Sequence, residues 1–255
     1  MSDKIRGTRL GVAIAVAVGS AICLMAPQAS ADDDANKILQ AMSDYLASQK
    51  TISVTLDTSV EVITPVLEKV QFASSGTVLM SRPDKLHATS TGGNGDVELF
   101  FDGKTLAVYG KNVNGFVQLP APGSIDDMVK TLRAHSIAVP GADLLLSNVF
   151  EKLMSQVIEA KYLGFGVIGG VKCEHLMFRN SDVDWQLWVE AGSNPIPRKY
   201  VITSKAMGEA PQYTLLIRDW KTDAQADAAA FEFKPPAGAQ KLNEDALESL
   251  VGGPR

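Results

Sequence analysis

The run Cys173-Glu174-His175 holds the side chains of this sequence that are best suited to chemistry. On a strand, Cys173 and His175 point to the same face, where a thiol and an imidazole can form a nucleophilic pair or contribute two metal ligands. A zinc site needs three or four converging ligands, and no His-x-x-His spacing exists among His87, His135 and His175. We therefore predict no metal site and no cofactor, and we interpret Cys173 as a small buried hydrophobic residue or a free thiol.

A glycine-rich run resembles a nucleotide-binding motif. Residues 164–170 read GFGVIGG and match G-x-G-x-x-G, and Asp184 follows the first glycine by twenty residues. That motif requires a helix directly after it, because the pyrophosphate binds at the helix N-terminus. The residues that follow, VKCEHLMFRN, are typical of a strand that enters a polar turn. The run is therefore predicted to be a glycine-rich turn between strands.

Other catalytic signatures are missing from the sequence. It contains neither the G-x-S-x-G motif of serine hydrolases nor a phosphate-binding P-loop. The acidic pair Asp126-Asp127 suits the first turn of a helix better than acid–base catalysis. We predict no catalytic residues and a protein that is not an enzyme, with a hydrolase of unrecognised site as a minor alternative.

The first residues have the organisation of a secretory signal peptide. Lys4, Arg6 and Arg9 precede the mostly apolar run 10–26, and Ala29-Ser30-Ala31 provides a small-x-small cleavage site. The alternative is a membrane anchor, but seventeen helical residues span only about 26 Å of a hydrocarbon core that is about 30 Å thick. Residues 1–31 are therefore predicted to be cleaved after Ala31, which places the protein in the periplasm of a Gram-negative bacterium.

The remaining chain, residues 32–255, is predicted to be a single periplasmic domain that does not span a membrane. It has 21 basic and 28 acidic residues, a net charge of −7, and no basic cluster, which argues against nucleic-acid binding. Its only cysteine is Cys173, so it has no internal disulfide and depends on packing for stability.

Hydrophobic spacing predicts an α+β fold built on an antiparallel meander. Helices are expected over 34–48, 124–135, 141–155 and, in a short form, within 243–251. About eleven strands are expected, over 52–63, 66–81, 86–91, 96–102, 104–110, 113–119, 158–163, 172–179, 184–191, 198–205 and 212–220. The simplest architecture is one large sheet with helices packed on one side.

The stretch from Leu99 to Leu119, LFFDGKTLAVYGKNVNGFVQL, illustrates the meander. Asp102-Gly103 is a strong hairpin signal, because both residues tolerate the positive φ angles of a type I′ turn. Asp102 and Lys104 are then surface turn residues, and their charges do not mark a catalytic site.

An apolar helix at 141–155 beside an apolar sheet face suggests a cavity for a small apolar ligand. The alternative is that the same residues form only a packed core. Because a shift of one residue exchanges the two faces of a strand, the choice of lining residues is sensitive to phase. The residues predicted to line the cavity are Leu56, Leu79, Leu99, Phe101, Val108, Phe150, Trp188 and Trp220.

Two stretches, GTVLMSRPDKLHATST and VELFFDGKTLAVYGKNVNGFVQLP, resemble the lipoprotein-carrier (LolA/LolB-like) superfamily. Within it, the segments GVKCEHLMFR, DWQLWVE, NPIPRKYVIT, PQYTLLIRDW and FEFKPPAGA are similar to a bacterial family of predicted periplasmic proteins of unknown function. The resemblance covers about residues 35–240. It implies an open, curved antiparallel half-barrel with helices on its concave face, and it implies that Arg82 is a latch for the helical lid.

The leading hypothesis is a non-enzymatic periplasmic protein that binds a lipid, or the acyl chain of a lipoprotein, in an apolar concavity. The rival hypothesis is an envelope sensor or regulatory scaffold that uses the same fold to bind a protein partner.

Overall fold

The computed structural model describes residues 29–93 and 95–251, and the predicted signal peptide lies outside this range except for its last three residues. The helices are α1 (Ala29–Ser48), α2 (Ile125–Ala134), α3 (Val149–Met154) and α4 (Leu247–Val251). The strands are β1 (Thr51–Ile63), β2 (Lys69–Ser81), β3 (Lys85–Gly92), β4 (Gly95–Phe101), β5 (Thr105–Gly110), β6 (Gly115–Pro120), β7 (Glu159–Ile168), β8 (Val171–Arg179), β9 (Val183–Glu190), β10 (Pro197–Ser204), β11 (Gln212–Thr222) and β12 (Gln240–Lys241).

All twelve strands form one open sheet in the order β12-β6-β5-β4-β3-β2-β1-β11-β10-β9-β8-β7. Neighbouring strands are antiparallel, except that the two-residue strand β12 pairs in parallel with β6. The predicted α+β class and large open antiparallel sheet are confirmed, with β12 as an additional short strand. We call the side of the sheet that faces α1 and α2 the inner face, and the opposite side the outer face.

Helix α1 joins the inner face through one apolar stripe. Ala35, Leu39, Met42 and Leu46 are all fully buried, and their spacing of three or four residues places them on one side of the helix. They pack into the same core as Phe178 on β8. The helix therefore covers the β7 to β9 half of the sheet and leaves the β1 to β4 half to other elements.

Helix α2 forms as the sequence predicts. The Ser124 hydroxyl accepts a hydrogen bond from the backbone N–H of Asp127, whose carboxylate accepts one in return from the backbone N–H of Ser124. This capping box satisfies two N–H groups that the first turn would otherwise leave unpaired. Met128, Val129 and Leu132 form the buried side of the helix.

The single helix predicted over 141–155 is wrong, because it is interrupted. A 3₁₀ turn covers Ala142–Leu145, the backbone becomes extended at Leu146, and α3 begins only at Val149. The reason is competition for hydrogen bonds: the N–H and hydroxyl of Ser147 both donate to the carboxylate of Asp126 on α2. These contacts replace the intrahelical bonds that a continuous helix would need.

The hairpin predicted at Asp102-Gly103 is present, but it does not have type I′ geometry. Only Gly103 has a positive φ, 87°, whereas a type I′ turn needs two such residues. The Asp102 carboxylate instead accepts hydrogen bonds from the backbone N–H groups of Lys104 and Thr105, at 2.9 and 2.7 Å. Asp102 therefore stabilises the corner of the sheet through its side chain.

The predicted glycine-rich turn is present but shorter than expected, because residues 164–168 belong to β7. Strand β7 continues to Ile168 through an irregularity at Gly164, which has a φ of 94°, and the chain reverses at Gly169-Gly170 into β8. No helix follows, so the run lacks the geometry of a dinucleotide site.

A candidate ligand-binding cavity

A cavity of about 480 Å³ lies on the inner face, within the range of small-molecule sites. Its floor is formed by β1 to β4, β11 and the first residue of β10. We call the elements opposite the floor, α2, residues 138–145 and α4, the cover. The lining residues of the floor are Ile52, Val54, Leu56, Thr58, Val60, Phe72, Ala73, Ser74, Val78, Met80, Leu86, Ala88, Thr89, Ser90, Gly92, Gly95, Val97, Leu99, Pro197, Tyr213, Leu215, Ile217 and Trp220. The lining residues of the cover are Met128, Val129, Leu132, 138–142, Leu144, Leu145, Leu250 and Val251.

The floor follows from strand alternation. Every second residue of β1 from Ile52 to Val60 lines the cavity, because successive side chains of a strand point to opposite faces. The antiparallel register aligns Ile52 with Met80 and Val60 with Phe72, so the inner residues of β2 continue the same surface. The cavity thus runs along β1 for about 26 Å, the length of eight residue steps.

The two ends of the cavity differ in polarity. At one end Ile52, Met80 and Leu86 are almost completely buried and wholly apolar. Towards the other end, the hydroxyl oxygens of Thr58 and Ser74 lie 2.6 Å apart and form a hydrogen bond. An apolar chain and a small polar group can therefore bind in one elongated site.

The connector, residues 135–148 between α2 and α3, closes the cavity on the side opposite the sheet. Gly141, directly before the 3₁₀ turn, has a φ of 86°, and a side chain there would come within 3.1 Å of a methyl group of Leu215 on the floor. Glycine is needed for both the left-handed backbone and this close approach. Val139, two residues before Gly141, is 38 % exposed, so the connector is also accessible to solvent.

Arg82 connects this cover to the sheet. Its guanidinium Nη2 donates a hydrogen bond of 3.3 Å to the carbonyl of Leu146. Burial lowers the pKa of Arg82, while the nearby carboxylate of Asp126 opposes that shift. The arginine predicted as a latch thus contacts the connector directly.

Helix α4 closes the cavity beside β4 and β5. Leu247 is buried in the core, and Leu250 and Val251 line the cavity. A Cβ atom on Gly110 of β5 would lie 2.7 Å from a methyl group of Leu250, so the glycine provides the space that α4 occupies.

A family model described as "Predicted periplasmic protein (DUF2092)" matches residues 35–243. The chain belongs to this family. The match extends from α1 to β12, so it includes the whole sheet and most of the cover. The family predicted from the sequence is confirmed. No curated protein matches the chain.

Solved structures with little sequence identity have a similar fold. An uncharacterized conserved protein from Thermus thermophilus is 13 % identical with a TM-score of 0.50, and the match covers 82 % of this chain and 98 % of that one. The Mycobacterium tuberculosis lipoprotein LppX is 13 % identical with a TM-score of 0.48, over 77 % and 100 %. A putative outer membrane lipoprotein-sorting protein domain from Vibrio parahaemolyticus is 9 % identical with a TM-score of 0.38, over 79 % and 97 %.

The eight residues predicted to line the cavity occupy three different environments. Leu56, Leu99 and Trp220 line it. Phe101 and Val108 are fully buried in the core, and Phe150 of α3 packs against that core. Leu79 and Trp188 lie on the outer face, where Leu79 pairs with His87 and Trp188 stacks on His175.

Sequence reasoning missed most of the cavity. Val54, Val78 and Met80 could have been found from the alternation of β1 and β2 once one inner residue was known. The contributions of Gly141 and Leu250 have no local signal, because long-range packing brings them to the site.

Cys173 and His175, which suggested a nucleophilic pair or a metal site, are held in a structural environment. Cys173 and His175 share the outer face, but Cys173 is fully buried, which raises the pKa of its thiol. The Nε2 atom of His175 lies 2.9 Å from the side-chain oxygen of Gln186, and burial lowers the pKa of the imidazole. Among residues 29–93 and 95–251, no group of three or more side chains could hold a metal ion.

None of the helices in the described part of the chain has the length and hydropathy that a membrane crossing requires.

Proposed function

We propose that this protein binds a lipid or an acylated ligand in the cavity of its inner face and catalyses no reaction on it. The observation that carries the proposal is the elongated apolar cavity of about 480 Å³ between the sheet and the cover. Each methylene group that leaves water for such a site contributes about 0.8 kcal/mol, so a chain of ten contributes about 8 kcal/mol. Leu56, Leu99 and Trp220 are the sequence-predicted residues that would contact the chain.

Ligand entry in this proposal depends on the cover. The connector is held over the cavity by the hydrogen bond between Arg82 and Leu146. Breaking one such bond to a charged group costs about 1.5–3 kcal/mol, an amount that ligand binding can offset. Arg82 would then act as a latch that opens when the cavity fills.

Native mass spectrometry tests the proposal. Protein from the periplasmic fraction is delipidated, mixed with bacterial membrane extract and weighed. We expect an adduct of defined lipid mass, and we expect Leu56→Glu to lose it because the carboxylate would lie in the cavity. Thr55→Glu, on the outer face of the same strand, is the matched control and should keep the adduct. A wild-type protein without any adduct would contradict the proposal.

A second candidate function is a scaffold for a protein partner. Strand β7 is one edge of the sheet, and its Leu163, Phe165 and Val167 side chains are 46, 67 and 61 % exposed. An edge strand with exposed apolar residues is a template for pairing with another chain. A photo-crosslinking residue at position 165 should then yield one covalent adduct in the envelope, whereas the same residue at Lys221 on β11 should not. Equal crosslinking at both positions would contradict the scaffold function.

A further inference from the structure

None of the described residues that line the cavity is Asp, Glu, Lys, Arg or His. A carboxylate or phosphate bound inside would lose its hydration without gaining an opposite charge, which is strongly unfavourable. The lining therefore discriminates against ligands whose charged group must enter the cavity.

The hydroxyl groups of the lining are uncharged and lie from its middle towards one end. The indole N–H of Trp220, which pairs with Val54 nearer the other end, is a further polar group and has no hydrogen-bond partner among the described residues. Thr58 and Ser74 form a hydrogen-bonded pair on neighbouring strands, and Ser74 faces Gly92 on β3. Tyr213 pairs with Val60 on the other side of β1, and burial raises the pKa of its phenol to about 12, so it stays protonated. Hydroxyls both donate and accept hydrogen bonds, and they suit an ester carbonyl or an alcohol.

The opposite end suits hydrocarbon. Ile52 and Met80 lie about 20 Å along β1 from the Thr58 and Ser74 pair, the length of six residue steps. Leu86 and Leu144 complete this end, and all four side chains are buried and apolar. An amphiphile is thus expected to bind in one orientation, with its polar group at the hydroxyls and its hydrocarbon at the apolar end.

We propose that the ligand is an uncharged acyl ester of the acylglycerol type. Its ester or hydroxyl group lies at Thr58 and Ser74, and its hydrocarbon extends towards Met80 and Leu144. This inference rests on the proposed lipid-binding function and narrows it, because it excludes fatty-acid anions from the cavity. The acylglyceryl group can belong to a free lipid or to a lipid-modified protein.

A matched pair of lipids tests the charge preference. Delipidated protein is loaded with diphenylhexatriene, an uncharged hydrocarbon probe, and titrated with monooleoylglycerol or oleate, each of which has one oleoyl chain. At about pH 8 oleate is ionised. We expect monooleoylglycerol to displace the probe at a concentration roughly tenfold lower or more. A cysteine peptide with one oleoylglyceryl group, tested in parallel, distinguishes a protein-linked source from a free lipid by which of the two binds more tightly.

Charge-introducing variants test the position of the polar group. Thr58→Lys adds an ammonium beside Ser74, and we expect oleate to bind roughly tenfold more tightly than it binds the wild type. Ser90→Lys, at an exposed lining position, serves the same purpose if Thr58→Lys does not fold. Thr55→Lys on the outer face is the control and should leave oleate binding unchanged.

The outcomes separate this inference from the function on which it rests. If the probe does not bind, the lipid-binding function fails and the inference fails with it. If the probe binds but oleate displaces it as well as monooleoylglycerol does, only the inference is overturned. Folded lysine variants that gain no oleate affinity also overturn it, because the polar end would then lie elsewhere.

Discussion

The sheet requires a glycine at position 76 in β2, because a side chain has no room there. A Cβ atom there would overlap the backbone carbonyl oxygen of Thr89 on β3, which cannot move as a flexible side chain could. We expect Gly76→Ala to lower the free energy of unfolding by about 1–3 kcal/mol, the usual cost of overpacking. Urea denaturation measures this change.

The matched control for Gly76 is Gly93, in the turn between β3 and β4. A Cβ atom on Gly93 has no neighbour within 4 Å, so Gly93→Ala should change stability by only about 0.5 kcal/mol. An equal loss of the free energy of unfolding in the two variants would show that small backbone shifts relieve the overlap at Thr89.

Asp127 gives the stability of α2 a defined pH dependence. The backbone N–H of Ser124 is the main cause that holds the pKa of Asp127 well below its ordinary value, and Lys130 adds to it. Because the folded state lowers this pKa, the stabilisation is complete above the unfolded pKa of about 4 and is lost as the pH falls below it. Asp127→Asn should therefore melt at a lower temperature than the wild type at neutral pH.

The pH series provides the check on Asp127. The difference between the melting temperatures of wild type and Asp127→Asn should narrow steadily below about pH 4, as Asp127 becomes protonated. A difference that stays constant down to about pH 2 would mean that the carboxylate contributes no charge-dependent stabilisation.

Two leucines show how far the sequence predicts which residues line the cavity. Leu56 and Leu79 both belong to alternating strands, yet only Leu56 lines the cavity. Leu79 lies on the outer face because its neighbours Val78 and Met80 point inward. Alternation fixes which residues share a face, but only packing against α2 and the connector decides which face is inner.

At the scale of elements, the connector over the cavity is held by burial of Leu144 and Leu146 and by several polar contacts. Arg82 is one of them, through its hydrogen bond to Leu146. We expect Arg82→Ala to increase amide hydrogen exchange in residues 142–148 roughly tenfold, since loss of a charge-assisted hydrogen bond costs about 1.5 kcal/mol or more. Exchange in α1 should stay unchanged, because that helix is anchored by its own buried stripe.

The matched control for Arg82 is Arg179→Ala, which removes an exposed arginine that pairs with Glu159 at the β7 edge. It should leave exchange in residues 142–148 at the wild-type level. Unchanged exchange in Arg82→Ala would instead contradict the latch and assign the connector's position to its other contacts, such as those between Ser147 and Asp126.

Elements were predictable where local signals determine them. The capping box at Ser124 and the alternation of β1 are both properties of a few consecutive residues. The interruption at Leu146 and the two-residue strand Gln240–Lys241 depend on distant partners, Asp126 on α2 and Gly115 on β6. Helical spacing alone therefore predicted one helix where tertiary hydrogen bonds produce two shorter segments.

At the scale of the whole molecule, the two edges of the sheet differ in how they are covered. The C-terminal segment packs Phe231 and Phe233 on the outer face, adds β12 to the β6 edge and returns to the inner face with α4. The β7 edge has no further strand among the described residues. Helix α4, which follows β12, completes the cavity. The β7 edge is the one on which the proposed scaffold function depends.

The predicted signal peptide makes export of the whole molecule testable. Cleavage after Ala31 would leave Asp32, Asp33 and Asp34 at the start of α1, where negative charges favour the helix dipole. We expect protein from the periplasmic fraction to begin at Asp32, as measured by intact mass and N-terminal sequencing. Ala31→Arg should block processing and leave the longer precursor, because the cleavage site requires a small residue there. Ser30→Arg, at the tolerant middle position, should be processed normally, and a mature chain that begins elsewhere would contradict the assignment.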